Sequence, residues 1–178
     1  MEEIFIDNVS PDTITHDYLS QFYKNDTMEI SFLFKSDFNN AKYLRDDLMI
    51  ILDIMWLDSI WKNRFVLIID ELNNNAIEYG SNENAINVFK FIGKKQEDGV
   101  YLNIEVEDEG NGKNAKKSME MENLRHEKVE KWFENYHSIR GRGLFLIITK
   151  LVDELYFKDS QKWGLIVGVK KTIKIEKD

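Results

Sequence analysis

Three short stretches, far apart in the chain, carry residue types that chemistry can use. The first is a polar stripe: Glu71, Asn75 and Glu78 recur at i, i+4 and i+7, so on a helix they share one face, away from the apolar one. Such a stripe offers carboxylates and an amide to whatever lies beside the helix, and it also matches the ordinary solvated side of an amphipathic helix. The second is Asp108-Glu-Gly110-Asn-Gly112 at the end of a strand pattern. Leu102, Ile104 and Val106 alternate with Tyr101, Asn103, Glu105 and Glu107, so continuing the alternation puts Asp108 on the covered side. An ionised carboxylate there is costly unless donors satisfy it, and the two glycines permit unusual backbone angles and close approach of a planar ligand. A plain Asp-Gly turn has the same composition. The third is Arg140-Gly141-Arg142-Gly143-Leu144, placed where the apolar run LFLIITKLV begins. Unpaired amides at a helix start, glycines that admit a phosphate and arginines that add donors make an anion site, although a flexible turn before a helix reads the same way.

The bulk of the chain limits what these groups can serve. Its 178 residues, 43% of them hydrophobic, suffice for one core and leave no room for a second full domain. A formal charge of −8 argues against direct nucleic-acid binding, which calls for a basic stripe. With no cysteine, disulfides and thiolate metal sites are excluded, and His16, His126 and His137 are too scattered for a ligand cluster. The acidic start MEEIFIDN is unlike a secretory signal, and no apolar run approaches the roughly 20 residues of a membrane span. The expectation is a cytoplasmic protein without membrane contact.

The elements that must position the three stretches follow from periodicity. Residues 1–27 read as an amino-terminal extension of uncertain structure and role. From Met28 the run MEISFLFK alternates as a half-buried strand, and Ser36 or Asp37 then caps a helix over 38–57 with Leu44, Leu48, Ile51, Leu52 and Met55 in register. A second helix carries Trp61, Phe65, Ile68, Ile69, Leu72 and Ala76 on one face and stops near Gly80. Strands over 86–93 and 100–107, joined by the turn KKQEDG, form a hairpin. Between 113 and 139 a short helix presents Met121, Leu124, Val129, Trp132 and Phe133; a helix over 143–153 and strands over 154–159 and 164–175 complete the chain. The pattern predicts an α+β two-layer sandwich, a mixed and mostly antiparallel sheet with helices on one face.

The three stretches in this order, Glu71-Leu-Asn-Asn-Asn75-Ala76, then Asp108-Glu-Gly110-Asn-Gly112, then Gly141-Arg-Gly143-Leu144, resemble the three boxes of the GHKL ATPase superfamily over residues 28–175. Within it the chain most resembles the bacterial anti-sigma-factor serine/threonine kinases, because the histidine kinases usually carry asparagine where Glu71 stands. The resemblance implies a Bergerat-type ATP-binding fold over 28–178 with a lid at about 113–139, and ATP and Mg2+ as cofactors. By that resemblance Asn75 coordinates Mg2+, Glu71 is the general base on the attacking hydroxyl, and Asp108 accepts from the adenine amino group. Gly110 and Gly112 let the backbone pass the base, while Arg140, Gly141, Arg142, Gly143 and Leu144 meet the phosphates.

The chain departs from the family pattern at Tyr79, where histidine is common, at Lys113, where an apolar residue is usual, and in Trp163-Gly-Leu-Ile-Val, which lacks a threonine near the adenine. The implied function is an anti-sigma regulatory factor that binds a sigma factor in one state and phosphorylates a serine or threonine of an antagonist protein in another, with a homodimer possible. Two alternatives stay open. One is a non-catalytic ATP-binding module that sequesters a partner; the other is the catalytic half of a split sensor kinase, although SPDTITHDYLS around His16 lacks the amphipathic pattern of a phospho-acceptor helix.

Overall fold

The computed structural model describes residues 2–8, 10–134, 148–161 and 164–174. Its strands are β1 (Glu2–Phe5), β2 (Tyr23–Lys24), β3 (Thr27–Lys35), β4 (Ile86–Gln96), β5 (Gly99–Glu107), β6 (Glu154–Asp159) and β7 (Leu165–Lys174). The principal helices are α1 (His16–Ser20), α2 (Phe38–Ile54), α3 (Ser59–Asn75) and α4 (Ser118–Glu134). One open sheet runs β1-β3-β4-β5-β7-β6, with β2 also on β3. Among the described residues only β1 with β3 is parallel; the remaining pairs are antiparallel. Helices cover one face, so this is the two-layer α+β sandwich that the alternation predicts.

Strand alternation meets helical periodicity in the core. Across the sheet, Phe32, Phe89, Val106, Val167 and Phe157 stand in one row. Ile30, Phe91, Ile104, Val169 and Leu155 stand in the next. Leu44, Leu48, Ile51 and Leu52 of α2 and Phe65, Ile68, Ile69 and Leu72 of α3 are buried in the same cluster. Each such side chain contributes about 2 kcal/mol by leaving water. Of the two candidate caps, Asp37 does the work: its Oδ1 accepts from the Asn39 amide at 2.8 Å, and Asp58 caps α3 the same way at the Trp61 amide, also 2.8 Å. The β4–β5 connection is tighter than the polar run suggested, because β4 continues to Gln96 and leaves Glu97 and Asp98 as a two-residue turn.

The segment read as an extension is built into this core. Strand β1 lies alongside β3 with Ile4 opposite Phe32, and Ile4, Ile6, Ile14 and Leu19 are all buried. Asp7 accepts from the Lys35 amide at 3.1 Å and from Asn40 Nδ2 at 3.3 Å, which ties the segment to the corner between β3 and α2. Its buried residues are spread over elements of three to five residues, too short to show a period. The helix expected from 143 is described at residues 148–151; its start lies outside the described residues. No helix among the described residues is long and apolar enough to cross a membrane.

One buried acid belongs to neither the core nor the chemistry above. Asp47 on α2 is 6% exposed, and its Oδ2 has no hydrogen-bond partner among the described residues. Burial, with the nearby Asp46 adding to it, pushes its carboxyl up to about 7. The unfolded chain ionises it near its ordinary value, so from there to about pH 7 the native state holds the extra proton and this group's contribution to stability falls as pH rises. Asp47→Asn is expected to leave stability unchanged at pH 4 and to raise it by roughly 2–4 kcal/mol at pH 8, measured by urea denaturation at both pH values.

Candidate functional site

The polar stripe sits where α3 changes its winding. The helix is α-helical to Asn75 and continues as one wider π turn over Ala76–Gly80, a distortion common at functional sites. Leu72 and Ala76 stay in the core and hold this end against the sheet, while Glu71 and Asn75 are half-buried on the other side. Asn75 Nδ2 donates to Glu71 Oε1 at 3.1 Å. That bond fixes the amide, so that Oδ1 is the Asn75 atom left for a ligand. Further on, Glu78 and Tyr79 are exposed, and a hydrogen bond to Glu78 raises the Tyr79 hydroxyl above its ordinary pKa.

Asp108 is buried, at 7% exposure, as the alternation in β5 requires. The donors it needs are backbone ones: Oδ1 accepts from the Gly110 amide at 2.8 Å and from the Leu165 amide at 2.9 Å. Burial raises its carboxyl, opposed by those two amides and by the charge of Lys117. Its other oxygen lies against Gly80, where a Cβ would stand 2.1 Å from Oδ2. The glycines of this turn serve the protein's own packing. Gly110 adopts φ 66°, and the space Gly112 leaves is filled by the Tyr79 carbonyl, 2.3 Å from where a Cβ would be. The Gly112 amide donates to the Gly80 carbonyl at 3.1 Å, so the aspartate turn is tied to the π turn that follows α3.

Several residues that hold this piece escaped sequence reasoning. Ser81 Oγ accepts from the Glu109 amide at 3.0 Å and donates to Asn87 Oδ1 at 2.6 Å, and Asn87 Nδ2 donates to Ser36 Oγ at 2.8 Å. Glu109 Oε1 accepts from the Ile86 amide and Asn111 Oδ1 from the Asn82 amide. The string Ser81-Asn-Glu-Asn reads as a loop that ends a helix, and no local signal names its partners nearly thirty residues on. Gly164 is likewise positional: a Cβ there would stand 1.7 Å from the Asp108 carbonyl oxygen.

Glu71, Asn75 and Asp108 line one cleft of about 660 Å³, within the size range of small-molecule sites. Val106, Val167 and Phe157 of one core row also line it. Leu165 also lines the cleft and gives its amide to Asp108. Residues 114–116, Met121 and Leu124 form another part of its wall. Helix α4 in that wall is anchored on β6: Asp159 Oδ1 accepts from the Ser118 amide at 2.8 Å, and Arg125 Nη1 donates to the Leu155 carbonyl at 3.3 Å. An apolar slot with an anchored carboxylate at one place and an amide oxygen beside a carboxylate at another suits a ligand with a flat apolar part and a charged part. Of the candidate residues, Arg140, Gly141, Arg142, Gly143 and Leu144 lie outside the described residues. Among the described residues no group of three or more histidine or acidic side chains could hold a metal by itself.

The family model for the histidine kinase-like ATPase domain matches residues 40–171 of the 178. No curated protein matches the chain.

The contact at Gly164 gives a test of the site's framework. Gly164→Ala must move backbone rather than a flexible side chain, so it is expected to cost about 2–3 kcal/mol in urea denaturation. Unchanged stability would mean that β7 does not approach the Asp108 backbone as described.

Proposed function

The chain belongs to the histidine kinase-like ATPase family, and from that premise we propose that it is an anti-sigma regulatory factor that transfers the terminal phosphoryl group of ATP to a serine or threonine of an antagonist protein. ATP binding itself accords with the family and with the cleft. The observation that carries the finer reading is the hydrogen-bonded pair Glu71 and Asn75 on the wall of the cleft that also contains Asp108.

In this reading Asp108 receives the adenine. Its Oδ1 is engaged by two backbone amides, which leaves Oδ2 as the acceptor for an exocyclic amino group. Val106, Val167 and Phe157 supply the apolar surface for the ring. Asn75 Oδ1 is a hard, neutral oxygen, which fits Mg2+, since in nucleotide sites this ion takes one or two protein ligands together with phosphates and water. When bound, the ion would neutralise charge on the phosphates. Glu71, one turn away, accepts the proton of the attacking hydroxyl as its oxygen bonds to the γ-phosphorus and the bond to ADP breaks. A carboxylate at this position also distinguishes the chain from the asparagine usual in histidine kinases.

The test is transfer of label from Mg-ATP to a candidate antagonist protein. Glu71→Ala is expected to reduce transfer by roughly a hundredfold or more while ATP affinity is nearly kept, because a general base contributes to the transition state rather than to ground-state binding. Asn75→Ala is expected to weaken ATP binding in the presence of Mg2+. Wild-type protein that binds ATP and labels no antagonist would instead favour a partner-sequestering module.

A further inference from the structure

The end of the sheet far from the cleft holds a tryptophan that folding alone does not call for. Trp56 follows α2 at φ 57°, in the left-handed turn that closes the helix. Its amide donates to the Asp53 carbonyl at 2.9 Å, and the Leu57 amide donates to the Leu52 carbonyl at 3.0 Å. Glycine or asparagine adopts this conformation with less strain, and a bulky residue there is an outlier. Burial does not offset the strain, because Trp56 is 60% exposed, as is Ile60 on the other side of the turn between α2 and α3.

Two further segments hold the indole in place. Tyr23 of β2 meets it edge-on, with ring centroids 5.8 Å apart, and Lys95 near the end of β4 sets its ammonium 3.8 Å from the ring centroid. Tyr23 is fixed in turn by its hydroxyl, which donates to Asp26 Oδ1 at 3.1 Å, and the Asp26 carbonyl accepts from the Lys95 amide at 2.7 Å. An exposed aromatic ring whose orientation is already set loses little entropy when it meets a partner, and tryptophans of this kind carry much of the energy of protein interfaces.

The charges around the turn state the chemistry of that partner. On the α3 side Arg64 stacks on Trp61, with its guanidinium carbon 4.7 Å from the ring centroid. The carboxylates nearby are engaged: Asp53 with Lys62, Asp153 with Lys171, Asp26 with the Tyr23 hydroxyl and Asp58 with the Trp61 amide. Glu97 and Asp98 of the β4–β5 turn have partners as well. No ion pair among the described residues involves Lys95 or Arg64. Two cations, each backed by an indole and neither matched by an acid of a chain whose formal charge is −8, are complementary to carboxylates brought from outside.

We propose that the turn between α2 and α3, with Tyr23, Trp56, Ile60, Lys95 and Arg64, is a docking surface for an acidic segment of a partner protein. That segment lays an apolar side chain against Trp56 and Ile60 and sets carboxylates on the two cations. Lys95 stands opposite Val100 at the start of β5, roughly 25 Å along that strand from Asp108, so a segment held here does not enter the cleft. The inference is independent of the reading of the cleft as an ATP site.

The experiment selects random peptides, displayed on phage, against the immobilised wild-type protein. One enriched sequence is then made as a synthetic peptide and titrated into wild type, Trp56→Asn and the double variant Lys95→Glu, Arg64→Glu. The enriched sequences are expected to place aspartate or glutamate beside an aromatic or large aliphatic residue. Trp56→Asn is expected to lose about tenfold or more in peptide affinity while its urea midpoint stays at or above that of wild type, since asparagine suits the left-handed turn. The charge-reversed variant should lose a similar factor, and wild-type binding should weaken as salt is added. Enrichment without acidic residues, or affinity unchanged in either variant, would overturn the assignment. A lower urea midpoint for Trp56→Asn would make Trp56 a structural residue and overturn it too. Self-association of wild type that Trp56→Asn abolishes would give this face to a second copy of the chain instead.

Discussion

A carboxylate taken out of water at the end of a strand organises this molecule. Asp108 sits on the covered side of the sheet, and desolvation raises its carboxyl above the ordinary range. Two backbone amides, from Gly110 and Leu165, offset that cost, and each belongs to a different part of the chain. Satisfying one side chain thus joins the end of β5, its own turn and the start of β7. Gly80 brings the end of α3 against the same carboxylate, which adds the helix that carries Glu71 and Asn75. The chemistry-bearing groups are held together because a buried acid must be paid for in hydrogen bonds.

The rest of the fold keeps that junction open on one side. Buried residues of the two tandem helices join the core cluster with Phe32 and Phe89, and Val106, Val167 and Phe157, which continue the same row, line the cleft. Helix α4 does not fill the gap; it is tied to β6 through Ser118 and Arg125 and stands as a wall. A cleft lined by one row of the sheet's apolar side chains gives a flat apolar group a preformed surface.

Much of this was legible in the residues. The burial of Asp108 follows from counting parity along β5, and the shared face of Glu71 and Asn75 from helical spacing; both needed only local periodicity. The helices and the hairpin were legible for the same reason, with ends shifted by a few residues. What local patterns do not carry is partnership at a distance. Ser81, Asn87, Glu109 and Asn111 hold the turn through bonds between positions six to fifty-one residues apart. The amino-terminal segment contributes four buried aliphatic residues from pieces too short for a period, so its place beside β3 was not readable. Gly112 shows the limit most clearly: its type announces a close approach, but only the fold reveals that the approaching atom is the Tyr79 carbonyl.

The central claim is that the end of α3 and the aspartate turn bind one magnesium-nucleotide complex as a unit. Hydrogen exchange of backbone amides with and without saturating Mg-ATP tests it most directly, since a ligand that bridges the two must slow local opening in both. The account predicts joint protection of residues 71–80 and 108–117, at the same nucleotide concentration. Protection of only one of them, or of neither while the nucleotide is bound, would contradict it.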